Sequence, residues 1–585
     1  MASWLLRPDK YERVVRDVTE SSRRSGMVEE SLPAGQAVES EPGAGAQPLG
    51  AQHDGLDAGG ADVEPGGVVD FYRDSVVFIT GATGFMGLVL LEKLLRACRV
   101  RKVFLLIRPK RGKDVQARLA DMLADPLFDQ VRSRVAKLEE RLEPVEGDCA
   151  LPGLGLREQD RAALLAQVHV VFHVAASVRF DEPLRYAAAI NVRGTQDVIK
   201  LAKEMPNFKA LVHVSTAFAH CHRKQIGEAF YRPGLQAHQL SSILDSLPDD
   251  KVDAIMRVIL DKWPNTYTYT KAIAEETVRE EAKGMPVAVV RPSMVICTAA
   301  EPVRGWVNNL NGPAGVVAGV GLGVLRTLNN NGRLTADLVP ADMVINATIV
   351  AAWDAHRRHQ ERSKHAPRIE EVADSTAEAT ATAAAPDSEE LPSDIPVFNY
   401  VSSARNPITW KRFMHLNEKT GTQWASFHVQ WYYCLFLTRY AWMHAVQKVL
   451  LHLLPALVVD TCALLIGRKP MMLKAYRKIH KFTDVIAYFC TQSWNFRDDE
   501  TLRMWRSLSV REQKLFPFNI ADLDWEDAVA GFIPGMRLYL LKDSFDTLPA
   551  ARKYYRKLKW AHYGLVTCLW LLLLRMLWAI VCVFV

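Results

Sequence analysis

Residues 76–87 read VVFITGATGFMG, and this stretch decides the fold of the chain. Its first five residues are apolar or β-branched, which is typical of a strand buried on both faces of a parallel sheet. Three glycines follow, directly before an apolar helical segment. Gly81 permits a tight turn, Gly84 lets a phosphate approach the backbone, and Gly87 lets helix and strand pack closely. The stretch therefore predicts the strand, turn and helix that hold a dinucleotide at a helix N-terminus.

Six further segments have the same strand-like character. They are residues 103–107, the segment before Gly147, and residues 168–175, 210–215, 287–290 and 397–401. Helical stretches separate them, and strands that alternate with helices form right-handed βαβ units. We therefore predict an α/β fold with a Rossmann-type doubly wound parallel sheet. A mostly helical C-terminal domain and a hydrophobic C-terminal helix should follow it.

Composition divides the 585 residues into seven parts. Two of them lack large apolar residues and cannot bury enough surface to offset the entropy of ordering. The predicted parts are a largely disordered tail (1–68), a nucleotide-binding domain (69–355), a disordered insertion (356–395), the completion of the first domain (396–430), apolar membrane- or substrate-facing helices (431–470), a C-terminal helical domain (471–545) and a hydrophobic membrane anchor (561–585).

Charge and cysteine usage exclude several classes of protein. The 72 Lys and Arg against 66 Asp and Glu give a net charge of +6, too mild and dispersed to predict nucleic-acid binding. The nine cysteines form no CxxC pair, so we expect a reducing, cytosolic setting and no metal. His220, Cys221 and His222 are adjacent and cannot close a tetrahedral site alone. We expect their loop to lie on the substrate side.

The second predicted strand ends in positive charge. An NAD enzyme usually places a carboxylate here for the ribose hydroxyls, but this chain has Arg108 and Lys110. Positive charge at this point favours the 2′-phosphate of NADP, so we predict NADPH as the cofactor. A solvated basic loop is the alternative. Asp148 is a candidate for bonding the adenine amine, or an ordinary turn residue.

Tyr267 and Lys271 are four residues apart in a predicted helix and lie on one face of it. An ammonium there lowers the pKa of the phenol and holds the nicotinamide ribose, so Tyr267 is the candidate proton donor. The alternative is an amphipathic helix with an exposed lysine. Thr216, at the carboxyl edge of the sheet, is the first candidate for polarising a substrate carbonyl, and Ser215 is the fallback. Either hydroxyl could instead cap a loop.

The residues predicted to bind the cofactor lie in or after successive strands, except for the lysine of the catalytic helix. Residues 291–293 follow a strand and are expected against the nicotinamide, although Arg-Pro is also a common strand exit. The predicted set is Gly81, Thr83, Gly84, Phe85, Met86, Gly87, Arg108, Lys110, Asp148, Ala175, Lys271 and Pro292.

These motifs together resemble the extended short-chain dehydrogenase/reductase superfamily, and one branch of it more closely. The blocks similar to animal and plant fatty acyl-CoA reductases are 76–87, 106–110 (LIRPK), 173–180 (HVAASVRF), 191–195 (NVRGT), 265–271 (NTYTYTK), 339–344 (VPADMV) and 399–403 (NYVSS). Residues 523–526 (LDWE) and 538–543 (LYLLKD) resemble the C-terminal domain of the same family. The resemblance thus covers the sheet domain almost from end to end and continues beyond it.

The resemblance implies an NADPH-dependent reduction of long-chain acyl-CoA to the primary alcohol. Hydride goes to the thioester carbonyl while Thr216 and Tyr267 stabilise the oxyanion, and the hemithioacetal collapses to aldehyde and CoA. A second NADPH reduces the aldehyde, and Tyr267 gives the proton. Two alternatives remain open. One is a membrane-bound reductase of sterol or other small carbonyl substrates, and the other is a non-catalytic NADPH-binding membrane scaffold.

Residues 563–585 are nearly all apolar and long enough to cross a bilayer as a helix. Basic residues precede them at positions 553, 556, 557 and 559, which predicts a tail anchor with a cytosolic catalytic domain. Arg575 opposes a span at a cost of about 2.5–3.5 kcal/mol, which the surrounding apolar residues offset. A bundle-packed or in-plane helix is the alternative. We expect the endoplasmic reticulum or peroxisome membrane; the oligomeric state is not predicted.

The earlier apolar tract, residues 431–466, contains Arg439, His444, Lys448 and Asp460. Such charges disfavour a span. We therefore expect helices that face lipid or a substrate tunnel, with acyl-CoA and membrane lipid as the partners.

Overall fold

The computed structural model describes residues 64–110, 112–135, 137–365 and 390–584. Most of the predicted tail and the centre of the predicted insertion lie outside these residues, as does Arg111 of the basic loop. The description below concerns the described residues alone.

Seven parallel strands form the central sheet, one for each predicted segment. They are β1 (Val76–Thr80), β2 (Lys102–Ile107), β3 (Leu142–Glu146), β4 (Val170–His173), β5 (Ala210–Val214), β6 (Val287–Pro292) and β7 (Val397–Tyr400). Their order is β7-β6-β5-β4-β1-β2-β3, and every pairing is parallel. The chain runs outward from β1 in both directions, so a crevice opens at the carboxyl ends of β1 and β4, where such folds bind ligands.

Helices cover both faces of this sheet. Those in the sheet domain are α1 (Val68–Tyr72), α2 (Phe85–Ala97), α3 (Val115–Leu123), α4 (Asp129–Arg134), α5 (Glu158–Gln167), α6 (Leu184–Ala188), α7 (Gly194–Lys203), α8 (Ala237–Ser246), α9 (Asp249–Leu260), α10 (Thr266–Glu281), α11 (Gly312–Gly321) and α12 (Ala341–His365). Alternate residues of β1 enter two different cores: Val77 and Ile79 pack on one face, Val76 and Phe78 on the other. Burial on both faces explains why the strand is apolar throughout.

The C-terminal part is mostly helical, as predicted. Its helices are α13 (Trp410–Gly421), α14 (Ala441–Lys448), α15 (Leu454–Leu465), α16 (Met472–Thr491), α17 (Asp499–Arg506), α18 (Val510–Leu515), α19 (Trp525–Gly535) and α20 (Leu548–Phe584). Short strand pairs tie it to the sheet domain: Gln225–Ile226 with Asn495–Phe496, and Thr327–Asn329 with Phe436–Thr438. The two parts therefore share packed surfaces.

Two helices differ in length from the prediction. Helix α12 continues to His365, ten residues into the segment predicted as an insertion. Arg357 and Arg358 both pair with the buried carboxylate of Asp354, one helical turn earlier, which supports this extension. Helix α20 begins at Leu548, well before the predicted anchor, because its first turns pack on the C-terminal domain through Ala551 and Tyr555.

Two helical segments are long and apolar enough to cross a membrane, judged by length and composition. They are Ala441–Leu465, with mean hydropathy 1.8, and Phe545–Cys582, with mean hydropathy 2.3. None of the apolar window of the second is buried, and about a fifth (22%) of the first is. Both segments therefore present apolar surface outward.

Candidate active site

The glycine turn between β1 and α2 has the geometry that the sequence predicts. Gly81 has a φ of +75°, and a Cβ there would lie 2.7 Å from the amide nitrogen of Ala175. A Cβ on Gly87 would overlap the carbonyl oxygen of Gly81. Gly84 is exposed and caps the N-terminus of α2. Backbone proximity, rather than flexibility, therefore requires glycine at positions 81 and 87.

The other predicted residues of this turn differ in what they pack against. Thr83 is half-buried within the turn. Phe85 stacks on Trp306, with ring centroids 5.4 Å apart, and Met86 packs against the core under the sheet. Phe85 and Met86 therefore fix the start of α2.

His173 ties this turn to the rest of the sheet edge. Its Nδ1 lies 2.7 Å from the Thr80 hydroxyl, and its Nε2 lies 3.0 Å from the Thr195 hydroxyl. Burial lowers the pKa of His173 to about 3, so the ring is neutral. The amide of Ala175 donates to the Thr80 hydroxyl at 3.3 Å. His173 is not among the site residues predicted from the sequence.

At the end of β2, Arg108 lies among polar partners. Its guanidinium donates to Asp148 and to the Tyr186 hydroxyl, each at 3.2 Å. Asp148 also accepts from the amide of Ala150 at 3.0 Å, so it forms the turn that was one of its two predicted roles. Lys110 is half-buried in the following loop.

A second arginine, which the sequence analysis missed, lies beside the first. Arg118 on α3 donates to the main-chain carbonyl of Arg108. Burial and then the positive charge of Arg108 lower the pKa of Arg118. The two guanidiniums are therefore close enough to interact, and both border the end of β2. No local sequence pattern indicates this pair of arginines, because Arg108 follows β2 and Arg118 lies ten residues later on α3.

Helix α10 presents Tyr267 at the carboxyl edge of the sheet. The helix begins after Asn265, whose side chain accepts from the amide of Thr268 at 2.9 Å and caps the helix. The Thr216 side chain lies near the phenol of Tyr267 and lowers its pKa. Burial raises the pKa of Tyr267 to about 12, and the charge of Glu275 adds to the rise. The phenol is therefore protonated at neutral pH.

Lys271 is fully buried one turn along the same helix. Its ammonium donates to the carbonyl of Val214 at 2.8 Å, and burial lowers its pKa to about 8. The predicted lowering of the phenol pKa by this lysine is not seen, because burial is the largest cause of the shift and Lys271 is not among its causes. Both residues lie on α10, four residues apart.

Thr216 and Ser215, which the sequence left as alternatives, face different partners. Ser215 donates to the buried carboxylate of Glu275. Glu275 also bonds the guanidinium of Arg291, with contacts of 2.7 and 2.9 Å, and the ring of His220 at 3.1 Å. Burial alone would raise the pKa of Glu275, but the charge of Arg291 and these hydrogen bonds hold it well below its ordinary value.

The end of β6, which was predicted to lie against the nicotinamide, has two different environments. Arg291 is completely buried and also donates to the carbonyls of Gly227 and Ala229, so its side chain points into the interior. Pro292 ends the strand and accepts at its carbonyl from the amide of Ala217 at 3.0 Å. Pro292 therefore positions the loop that carries Thr216.

Tyr267 lines an apolar pocket. The pocket lies between the sheet domain and α16, and almost all of its walls are aliphatic or aromatic. They include Phe180, Phe218, Met294, Val316, Leu328, Phe413, Met414, Ile486 and Phe489. These residues come from segments up to 309 residues apart, from Phe180 to Phe489, so no local pattern in the sequence indicates the pocket.

Comparisons with known proteins match both halves of the chain. Two family models, both described as "Male sterility protein", match: NAD_binding_4 over residues 79–348 and Sterile over residues 451–543. All of the candidate site residues fall within the first match.

Curated relatives match most of the chain. "Fatty acyl-CoA reductase wat" of Drosophila melanogaster is 39% identical over 84% of this chain and 89% of its own length. "Fatty acyl-CoA reductase 1" of Rattus norvegicus is 34% identical over 87% of this chain and 93% of its own. Among solved structures, the terminal R domain from the myxalamid PKS-NRPS pathway is 18% identical, with a TM-score of 0.48, over 80% of this chain and 91% of that one.

Proposed function

The chain belongs to the fatty acyl-CoA reductase family, and from this premise we propose that it reduces long-chain acyl-CoA with NADPH to the primary fatty alcohol. The observation that carries the proposal is the apolar pocket that Tyr267 lines. A long acyl chain requires an apolar cavity beside the reacting carbonyl, and the phenol of Tyr267, with Thr216 near it, lies at this cavity.

A nicotinamide cofactor fits the carboxyl edge of the sheet. The left-handed Gly81 and the exposed Gly84 leave the backbone open beside the N-terminus of α2, where a pyrophosphate binds in such folds. Arg108 and Arg118 support the choice of NADPH, because two neighbouring guanidiniums suit a 2′-phosphate. Each bound NADPH would supply one hydride, so the two reductions consume two molecules of the cofactor.

Side chains of this protein then bond and protonate the carbonyl oxygen of the substrate. Thr216 and Tyr267 donate hydrogen bonds to the thioester carbonyl and stabilise the charge that develops there, until the hemithioacetal collapses to aldehyde and CoA. In the second reduction Tyr267 gives its proton to the aldehyde oxygen, which its raised pKa allows at neutral pH. Lys271, still charged near pH 7, holds the nicotinamide ribose one turn from Tyr267.

Association with a membrane is part of the proposal. From Tyr563 onward α20 is largely exposed and apolar, and Trp578 is 71% exposed. Exposed apolar side chains on α14 and α15, such as Trp442 and Leu457, add to this surface. The basic residues before the tail favour a cytosolic catalytic domain, on the endoplasmic reticulum or peroxisome membrane. A substrate that partitions into bilayers suits this position.

Activity of the purified protein tests the proposal. With NADPH and acyl-CoAs of graded length, we expect fatty alcohol by mass spectrometry and one free thiol released for each thioester consumed. Oxidation of NADPH with sterols or small carbonyls, without thiol release from acyl-CoA, would favour the first alternative. Binding of NADPH without any turnover would favour the scaffold.

A matched pair of variants tests the role of the phenol. Tyr267→Phe should retain NADPH binding and lose about 10²–10⁴-fold in kcat, because it removes the proton donor. Tyr269→Phe is the control, since its hydroxyl lies on the same helix, buried and without a hydrogen-bonding partner among the described atoms. Equal effects of both variants would contradict the proposed role.

A further inference from the structure

A cleft with charged side chains in its walls opens beside the apolar pocket, between α16 and the loop that precedes α10. Its walls include Phe180, Asn265, Arg477, His480, Lys481 and Tyr488. Thr216, Tyr267 and Lys271 do not line it.

The cleft and the pocket share Phe180, whose ring centroid lies 5.7 Å from that of Tyr267. Helix α16 also lines both: Arg477 faces the cleft, while Ile486 and Phe489 line the pocket. A molecule with an apolar end in the pocket and a charged end in the cleft would therefore pass Phe180, beside Tyr267.

The charges in the cleft favour an anion. Arg477 is exposed and has no ion pair or hydrogen bond from its side chain within the described part of the chain. The acid beside it, Asp484, is paired with Lys448 at 2.9 Å. Lys481 is 68% exposed, with its ammonium 2.7 Å from Asp181. Burial lowers the pKa of His480, so it adds no positive charge at neutral pH.

We propose that this cleft binds the CoA portion of the substrate, with Arg477 as the main phosphate contact and Lys481 as the second. Pantetheine then passes Phe180 and Asn265, and the thioester reaches Tyr267 while the acyl chain fills the apolar pocket. A guanidinium bonds phosphate through charge-assisted hydrogen bonds. This inference rests on the proposed function. A phospholipid headgroup offers the same phosphate chemistry, and the experiment separates the two sources.

Substrates with and without phosphates test the site. For Arg477→Ala we expect the KM for palmitoyl-CoA to rise about tenfold or more, with kcat within about twofold of the unaltered chain. The KM for S-palmitoyl pantetheine, which lacks the nucleotide, should not change. Lys474→Ala is the control, because this exposed lysine lies one turn earlier on α16 and outside the cleft. It should leave both KM values unchanged.

Two further measurements separate the outcomes. Adenosine 3′,5′-bisphosphate should bind the full-length protein in calorimetry and bind Arg477→Ala more weakly, whether or not turnover occurs. Flotation with vesicles containing anionic phospholipid should be the same for both proteins. Weaker vesicle binding with an unchanged KM for palmitoyl-CoA would assign the cleft to a lipid headgroup and overturn the inference. Failure of the unaltered chain to reduce either thioester would instead refute the proposed function.

Discussion

The two hydroxyls after β5 differ in what their removal should do. Thr216 lies near the phenol of Tyr267 and lowers its pKa, whereas Ser215 donates a hydrogen bond to the buried carboxylate of Glu275. Thr216→Val should lower kcat by about 10²–10³-fold, as loss of an oxyanion donor does elsewhere. Ser215→Ala should mainly lower the free energy of unfolding, by about 1–3 kcal/mol, because it leaves a buried acceptor with one donor fewer.

Steady-state kinetics and urea unfolding of the two variants check this prediction. A larger loss of kcat in Ser215→Ala than in Thr216→Val would reverse the assignment and make Ser215 the carbonyl donor.

Lys271 should set the alkaline limit of activity. Its pKa of about 8 means that the ammonium is lost as the pH rises through 8, while the phenol of Tyr267 stays protonated until about pH 12. We therefore expect kcat to fall above pH 8. Lys271→Arg keeps the positive charge, so the pH at which kcat falls should move to a higher value. The kcat of this variant should be lower than that of the unaltered chain at every pH. If kcat of Lys271→Arg falls at the same pH as kcat of the unaltered chain, Lys271 does not set the alkaline limit of activity.

The same shift in pKa has a consequence for folding. An exposed lysine keeps its proton to about pH 10.5, so between pH 8 and 10.5 the unfolded chain binds more protons than the folded one. The contribution of Lys271 to the free energy of unfolding therefore rises with pH over this window.

Arg108 and Arg118 should decide the choice of dinucleotide. Arg118→Ala should lower kcat/KM for NADPH by about 10–100-fold and leave that for NADH nearly unchanged, because only NADPH carries the 2′-phosphate. Lys102→Ala is the control, since it removes a cation from the opposite end of β2. Equal losses of kcat/KM with NADPH and with NADH would show that Arg118 supports the fold and does not bind the 2′-phosphate.

At the scale of elements, close backbone contacts decide which residues the turn after β1 can contain. Gly81→Ala would place a Cβ against the backbone of Ala175 and force a left-handed φ on alanine. Gly284 has a similar φ of +74° but open space around it. Gly284→Ala should therefore cost only the backbone strain, about 1–2 kcal/mol, and keep NADPH affinity. Gly81→Ala should cost more and abolish NADPH binding.

Chemical unfolding and fluorescence titration with NADPH measure both effects. Retention of NADPH affinity in Gly81→Ala would mean that the turn can relax away from the β4 loop, contrary to the structure.

At the scale of the whole molecule, α20 combines two parts with different roles. Its first turns pack on the C-terminal domain, where Tyr555 and His562 contact Tyr432. A chain that ends at Tyr563 keeps these contacts and loses the exposed apolar part. We expect it to lose most of its vesicle binding in flotation, while its kcat with a water-soluble, medium-chain acyl-CoA stays within about twofold.

Arg575→Leu is the matched change in the opposite direction. It removes the charge inside the apolar run and should strengthen vesicle binding. Unchanged vesicle binding in the shortened chain would assign the membrane contact to α14 and α15, which also expose apolar side chains.

The sequence by itself determined the sheet, the glycine turn and the placement of Tyr267 and Lys271. These features depend on local chemistry: apolar strands, glycines required by close backbone contacts, and the four-residue spacing of a helix face. The sequence also indicated the apolar tail, because length and hydropathy suffice for that.

Only the tertiary structure decided the remaining features of the site. It paired Ser215 with Glu275 and Thr216 with Tyr267, placed Arg118 beside Arg108, and raised the pKa of the phenol. It also assembled the apolar pocket from distant segments. Hydrogen-bond partners, burial and cavities arise from contacts between residues far apart in the chain, and no local pattern encodes them.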